Sequence, residues 1–267
     1  MNLHDKLEIE HCWTTPIGKI HIYLPDEIRQ TLIGILTKRV NNSTSESYDQ
    51  INKVIDVMPL IYNLFDYSEE NQTKNYKVGL DVNEDEIKCL KEFEKISSKI
   101  IRTYINKAWD FDEDVEIKVR CFGNVQRSFS KRTTPHFHHG WDGVFIHYLT
   151  VGEEFNYPLF DDEANEKLAT TANRATLGRK KLDTNDVAAT PSDHSGELLL
   201  LDPRPAIRMP YNDKAKVIKP TLGLTLIHPA YLWHETQTHT KAGIRVAIVI
   251  NFNIENRNYD ILPTSLI

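Results

Sequence analysis

Apolar positions along the chain change their period twice, and the changes mark out its expected elements. After a Pro-Ile-Gly turn at Pro16 to Gly18, Ile20, Ile22 and Leu24 alternate with polar neighbours, which predicts a short strand over 19–24. Pro25, Asp26 and Glu27 supply an acidic first turn, and Ile28, Leu32, Ile35 and Leu36 then recur at helical spacing, so a helix should follow. Residues 41–50 are polar and turn-rich and read as a loop. The strongest helical signal starts at Asn83. Glu86, three positions on, completes a capping-box pattern, and Ile87, Leu90, Phe93, Ile96, Ile100 and Tyr104 form one apolar stripe towards residue 108.

From residue 115 the period becomes two. Val115, Ile117, Val119 and Cys121 alternate with polar residues, and further strand-like runs occupy 143–151, 196–201, 223–227 and 244–251. Short strands separated by Gly and Pro turns predict a sandwich or barrel. Residues 153–195 are too polar for a core and too long for an idle connection, which marks a lid-like insertion. The 267 residues therefore read as a single domain: a mainly helical flanking region over 1–110 and a β core over 115–254 that carries the insertion.

Composition narrows the function. A hydrophobic fraction of 40% is ordinary for a folded chain, and a net charge of −6 lacks the clustered Lys/Arg excess that binds nucleic acid. A small-molecule, amino-acid or peptide substrate fits better. Cys12, Cys89 and Cys121 are scattered and odd in number, as a reducing cytosol permits. With no basic leader and no long apolar window, the expectation is a cytoplasmic chain without a membrane anchor. Oligomeric state is not legible.

The chemistry is concentrated in Thr134-Pro-His136-Phe-His138-His139-Gly-Trp-Asp142 and, further on, in Pro229-Ala-Tyr-Leu-Trp-His234 and Arg245. Imidazoles two apart on an extended segment project to the same face, so His136 and His138 can share one metal ion with a third group from elsewhere. His234 is that third group. A single histidine is usually a surface or satisfied core residue, but three within four positions, at 136, 138 and 139, are harder to dismiss. His136, His138, Asp142 and His234 compete for the metal, with His139 as a spare. Three protein ligands leave open positions, which suits non-haem Fe(II) oxygen chemistry.

The order of these motifs resembles the 2-oxoglutarate/Fe(II)-dependent oxygenase superfamily, and is most similar to prolyl-hydroxylase-like oxygenases with an HxH proximal motif. The resemblance spans residues 115–254 and rests on the HxH segment, Gly-Glu-Leu-Leu-Leu-Leu-Asp-Pro-Arg204, Gly-Leu-Thr-Leu-Ile-His-Pro-Ala-Tyr-Leu-Trp-His234 and Gly-Ile-Arg245-Val-Ala-Ile-Val-Ile-Asn-Phe-Asn. It implies an all-β core built as a double-stranded β-helix, jelly-roll or cupin-like, with flanking N-terminal α-helices. It also implies Fe(II), 2-oxoglutarate as cosubstrate and O2, with hydroxylation or desaturation of a substrate C–H bond and release of succinate and CO2. His234 would be the distal iron ligand. Arg245 would pair with the far carboxylate of 2-oxoglutarate, a role that suits its planar fork. Asn124, Tyr148 and Asn251 would line the cosubstrate site, with Gln126 beside them. Trp141, Tyr231 and Trp233 would wall the substrate, and Arg204 and Arg208 could bind a substrate carboxylate. Most of that superfamily uses His-x-Asp/Glu, whereas the residue two after His136 is His138. Either three histidines hold the metal or Asp142 replaces one of them. HxHxxxD also resembles the cupin motif, so a cupin-type dioxygenase or isomerase without 2-oxoglutarate is the first rival, and a non-catalytic β-sandwich binding module the second.

Overall fold

The computed structural model describes residues 6–12, 15–42, 60–68, 73–75, 82–112, 114–126, 132–152, 195–203, 215–241 and 243–255. The expected loop beyond Asn42, nearly all of the 153–195 insertion, and both Arg204 and Arg208 lie outside them. The described residues form mostly antiparallel β-sheet with two helices.

The helices are α1 (Asp26–Asn42) and α2 (Glu84–Trp109). At the start of α2 the expected capping box is present: the Asn83 side chain accepts from the Glu86 N–H, and the Glu86 carboxylate accepts from the Asn83 N–H, both at 2.9 Å. Two otherwise orphaned donors of the first turn are thereby satisfied. Leu90, Phe93, Ile100 and Tyr104 of α2, with Leu32, Ile33 and Leu36 of α1, pack in one buried cluster against the sheet. Each such side chain contributes roughly 1.5–3 kcal/mol of burial.

That sheet has eight strands: β1 (Glu8–Cys12), β2 (Thr15–His21), β3 (Leu60–Ser68), β4 (Thr73–Asn75), β5 (Ile117–Gln126), β6 (Gly143–Val151), β9 (Leu224–Pro229) and β11 (Arg245–Ile254). Their order is β1-β2-β9-β6-β11-β5-β3-β4. A smaller sheet has the order β10-β7-β8, from β7 (Leu198–Leu201), β8 (Ala215–Ile218) and β10 (His234–Thr236). The region expected to be mainly a helical flank thus also supplies four strands, and Pro16 to Gly18, read as a turn, lies inside β2.

Both faces of the large sheet are covered, which explains why β11 reads as one apolar run. Val246, Ile248, Ile250, Phe252 and Ile254 point to the helices, whereas Ala247 and Val249 point to a second cluster with Ile146, Tyr148, Leu198, Leu200, Leu226 and Leu232. Gly123 lets α1 lie close, because a Cβ there would stand 2.3 Å from Leu36 Cδ2. The second cluster contains residues from both sheets, and the polar residues of the site share its face of the large sheet. Among the described residues, no helix is long and apolar enough to cross a membrane.

Candidate metal centre

The HxH segment is held against β10 by backbone pairing. His136 and His234 exchange N–H···O bonds of 3.0 and 2.8 Å, Thr133 N–H donates to the Thr236 carbonyl at 2.9 Å, and His138 N–H donates to the Ala230 carbonyl at 3.0 Å. Residues directly opposite in such a pair share a face. This register is what brings a histidine from residue 136 beside one from residue 234. The ring centroids lie 4.4 Å apart for His136–His234, 5.4 Å for His136–His138 and 5.0 Å for the nearly parallel His138–His234 pair.

One nitrogen from each ring falls in a group whose members all lie within 4.8 Å of one another, and His138 Nε2 and His234 Nε2 are 3.2 Å apart. Two imidazoles bound to one ion at about 2.0–2.1 Å place their nitrogens about 3.0 Å apart at right angles and about 3.4 Å apart in a tetrahedron. The observed spacing falls between these. The far nitrogens fix the tautomers: His136 Nδ1 donates to the Thr134 carbonyl at 2.8 Å and His234 Nδ1 to the Leu232 carbonyl at 3.0 Å. Carbonyls only accept, so both Nε2 atoms offer lone pairs, the arrangement in which an outer hydrogen bond orients a metal-binding imidazole. Burial holds His138 down to about 4, helped by repulsion from His228 and His136 and opposed by a hydrogen bond with the Asn251 side chain. His234 is pushed well below the ordinary range, first by burial and then by His228, His136 and His138. Near neutral pH these two rings are therefore uncharged and able to ligate.

Asp142 is placed elsewhere. Its carboxylate accepts from the Ile254 N–H at 2.8 Å, while its own N–H donates to Asn253 Oδ1 and to the Phe252 carbonyl, so it ties the start of β6 to the end of β11. His139 is exposed and stacks on Phe137, outside the group of three.

At the other end of the same face stands Arg245. It is 2% exposed, opposite Gln126 in the sheet register, and its Nη1 donates to Gln126 Oε1 at 2.7 Å. The guanidinium carbon lies 4.8 Å from the centre of the Tyr148 ring. Burial lowers the Arg245 pKa and raises that of Tyr148, each effect partly offset by the other residue. Gln126 Nε2 is buried without a hydrogen-bond partner among the described residues, and the Tyr148 hydroxyl and Arg245 Nε have none beyond each other. A buried cation met only by neutral groups, with an unmet amide donor beside it, forms a ready receptor for a carboxylate. Gly196, at φ +64°, leaves room for this arginine, since a Cβ would meet Arg245 Cδ at 2.9 Å.

The remaining expected site residues divide. Asn124, paired with Ala247, faces the second cluster, its buried Oδ1 without a hydrogen-bond partner among the described residues, and Asn251 stands beside His138. Trp141 is partly buried against that cluster. Trp233, just before β10, is 45% exposed and packs on Phe137, 5.0 Å between centroids, and Tyr231 is 55% exposed with its hydroxyl near Thr15. The structure therefore does not gather Tyr231 and Trp233 at the metal group.

Two residues escaped the sequence reading. His228 is fully buried beside His234, and its place at Leu224-x-Leu226-x-His228 on the alternating face was a usable signal. His239 is fully buried near Arg245, with Nδ1 3.3 Å from Ser195 Oγ. It lies in a loop, where periodicity gives no signal.

No protein-family model and no curated protein matches the chain. Solved structures similar to it include a prolyl-4-hydroxylase from Pseudomonas putida, at 8% identity, 89% of this chain, 92% of that one and TM-score 0.47. A prolyl hydroxylase from Trichoplax adhaerens, in complex with a hypoxia inducible factor peptide fragment, gives 13% identity, 90% and 84% coverage and TM-score 0.44. A 2OG-Fe(II) oxygenase family oxidoreductase from Burkholderia pseudomallei gives 11%, 73%, 68% and 0.41. At TM-scores this low, function has to be argued from the residues of the site.

Proposed function

We propose that the chain is an Fe(II)- and 2-oxoglutarate-dependent oxygenase that hydroxylates or desaturates a C–H bond of a small-molecule, amino-acid or peptide substrate, with a double-stranded β-helix as its core. The observation that carries this reading is a three-imidazole group, running from exposed His136 to buried His234, together with a buried arginine on the sheet face whose Asn251 stands beside His138. His136, His138 and His234 would hold the iron. Bound there, iron and 2-oxoglutarate with O2 supply the oxidant and leave succinate and CO2.

The protein's own part is positioning. A dication on three neutral imidazoles keeps its full charge, and a buried charge needs a counter-charge. A keto-diacid dianion provides one. Its far carboxylate matches the fork of Arg245, with donors from Gln126 and Tyr148 in reach of the same group. Ile146, Leu200 and Leu226 would exclude water from the interior.

The test is succinate formation from 2-oxoglutarate across a panel of amino acids and peptides, together with anaerobic Fe(II) titration. A weak visible charge-transfer band on adding 2-oxoglutarate is expected, and its absence from folded protein would sink the reading. The three-histidine set also suits a cupin-type enzyme that binds its substrate directly. Metal-dependent activity that needs no 2-oxoglutarate and survives Arg245→Ala would select that second reading.

A further inference from the structure

His228 is the penultimate residue of β9, directly across from Val144, whose other sheet neighbour is Asn251. It therefore shares the interior face that carries Asn251 and, through it, His138. The ring is fully buried and meets His234 edge-on, with centroids 5.1 Å apart and an interplanar angle of 63°. The group of three nitrogens within 4.8 Å of one another does not include it, so it stands against His234 but outside that group.

Its hydrogen bonding is unusual for a buried side chain. Nδ1 lies 2.9 Å from the Pro229 carbonyl, which can only accept, so the proton is on Nδ1 and Nε2 is a bare lone pair. No donor among the described residues reaches that atom. Leu224 and Leu226, on the same face of the same strand, show that an apolar side chain is the ordinary filling here. A buried acceptor without a donor is retained at a penalty an aliphatic side chain would avoid. The proposed ligands cannot be the donor, because their Nε2 atoms are lone pairs turned to the metal. The 2-oxoglutarate dianion cannot either, having no donor of its own. A water bound to the metal can, since the ion strengthens its O–H groups as donors.

We propose that His228 is a positioning residue whose Nε2 accepts a hydrogen bond from a water bound to the metal held by His136, His138 and His234; the inference rests on the metal-centre reading. His228 then selects which open position keeps its water.

Mn(II) is a suitable probe, because water-proton relaxation reports the exchangeable waters on the bound ion. The comparison is between wild type, H228F and H228L, which have no acceptor, and H228Q, which keeps one; two acceptor-free variants guard against misfolding of either. Three protein ligands leave three positions on a six-coordinate ion, and the water that loses its acceptor stays bound but exchanges faster, so the relaxivity per bound Mn(II) is expected to change in H228F and H228L and to return to the wild-type value in H228Q. They should also bind Mn(II) about tenfold more weakly, with H228Q restored to within about twofold. Unchanged relaxivity per bound ion in H228F and H228L overturns the proposal, as does H228Q behaving like H228L. A different result, wild-type Mn(II) binding left intact by His234→Ala, would remove the metal centre itself and this role with it.

Discussion

Replacing Arg245 and Gln126 together by methionine separates a cosubstrate anchor from a structural strut. Arg245 is 2% exposed, its side chain meets only the neutral Gln126 amide and the Tyr148 side chain, and among the described residues no carboxylate pairs with it. Burying a charge that is so poorly met costs several kcal/mol, whereas replacing both members of a buried polar pair by apolar groups is close to neutral or stabilising by about 1–4 kcal/mol. The ligand-free double variant should therefore melt at or above the wild-type temperature. Binding of 2-oxoglutarate should suffer instead. Two hydrogen bonds from a guanidinium to a carboxylate contribute about 1.5–3 kcal/mol each, so their loss raises Kd by about 10²- to 10⁴-fold. Calorimetric titration of 2-oxoglutarate into the Mn(II)-loaded protein under anaerobic conditions measures the second effect, and thermal unfolding without ligand measures the first. A melting temperature lower by more than about 5 °C, with 2-oxoglutarate affinity within about threefold of wild type, would show that the arginine is a strut and refute the reasoning.

Three further outcomes follow from the same geometry. His234→Ala should abolish tight metal binding, whereas Asp142→Asn should keep metal affinity and lower stability by about 1 kcal/mol through the weakened bond to the Ile254 N–H; metal loss in the Asp142 variant, seen by chelator competition, would restore the carboxylate to the ligand set. Burial holds fully buried His147 and His239 down to about 4, below the ordinary 6.5. Their folded values are depressed, so the stability they contribute is complete above pH 6.5 and is lost as pH falls towards 4, at about 1.4 kcal/mol per pH unit for each residue; circular dichroism melts that stay flat across this window would contradict the burial. Gly196→Ala forces a side chain at φ +64° into Arg245 Cδ, so it should cost about 1–3 kcal/mol of stability and weaken 2-oxoglutarate binding as well, which unfolding and calorimetry would read separately.

The local elements were the most legible part of the chain. The Asn83 to Glu86 capping box and the stripe from Leu90 to Tyr104 depend on interactions within one or two turns, and α2 begins at Glu84 as that pattern requires. The strand over 143–151 has the bounds its apolar run predicts, because it is buried on both faces between turn residues. At Pro16 to Gly18 local turn preference misled, since pairing of β2 with β9 and β1 overrode it. The histidine cluster was half legible. Spacing alone puts His136 and His138 on one face, but whether Asp142 joined them depended on where the chain goes next.

The periods of the elements, the histidines able to share a face and an arginine that would need a partner inside an apolar strand were legible in the chain, because these follow from backbone geometry and side-chain chemistry over a few residues. That Asp142 ties β6 to β11, that Tyr231 and Trp233 are exposed, and that His228 packs edge-on against His234 came from the packed fold. Those outcomes are set by register between strands roughly a hundred residues apart, where a slip of one position turns every side chain to the other face.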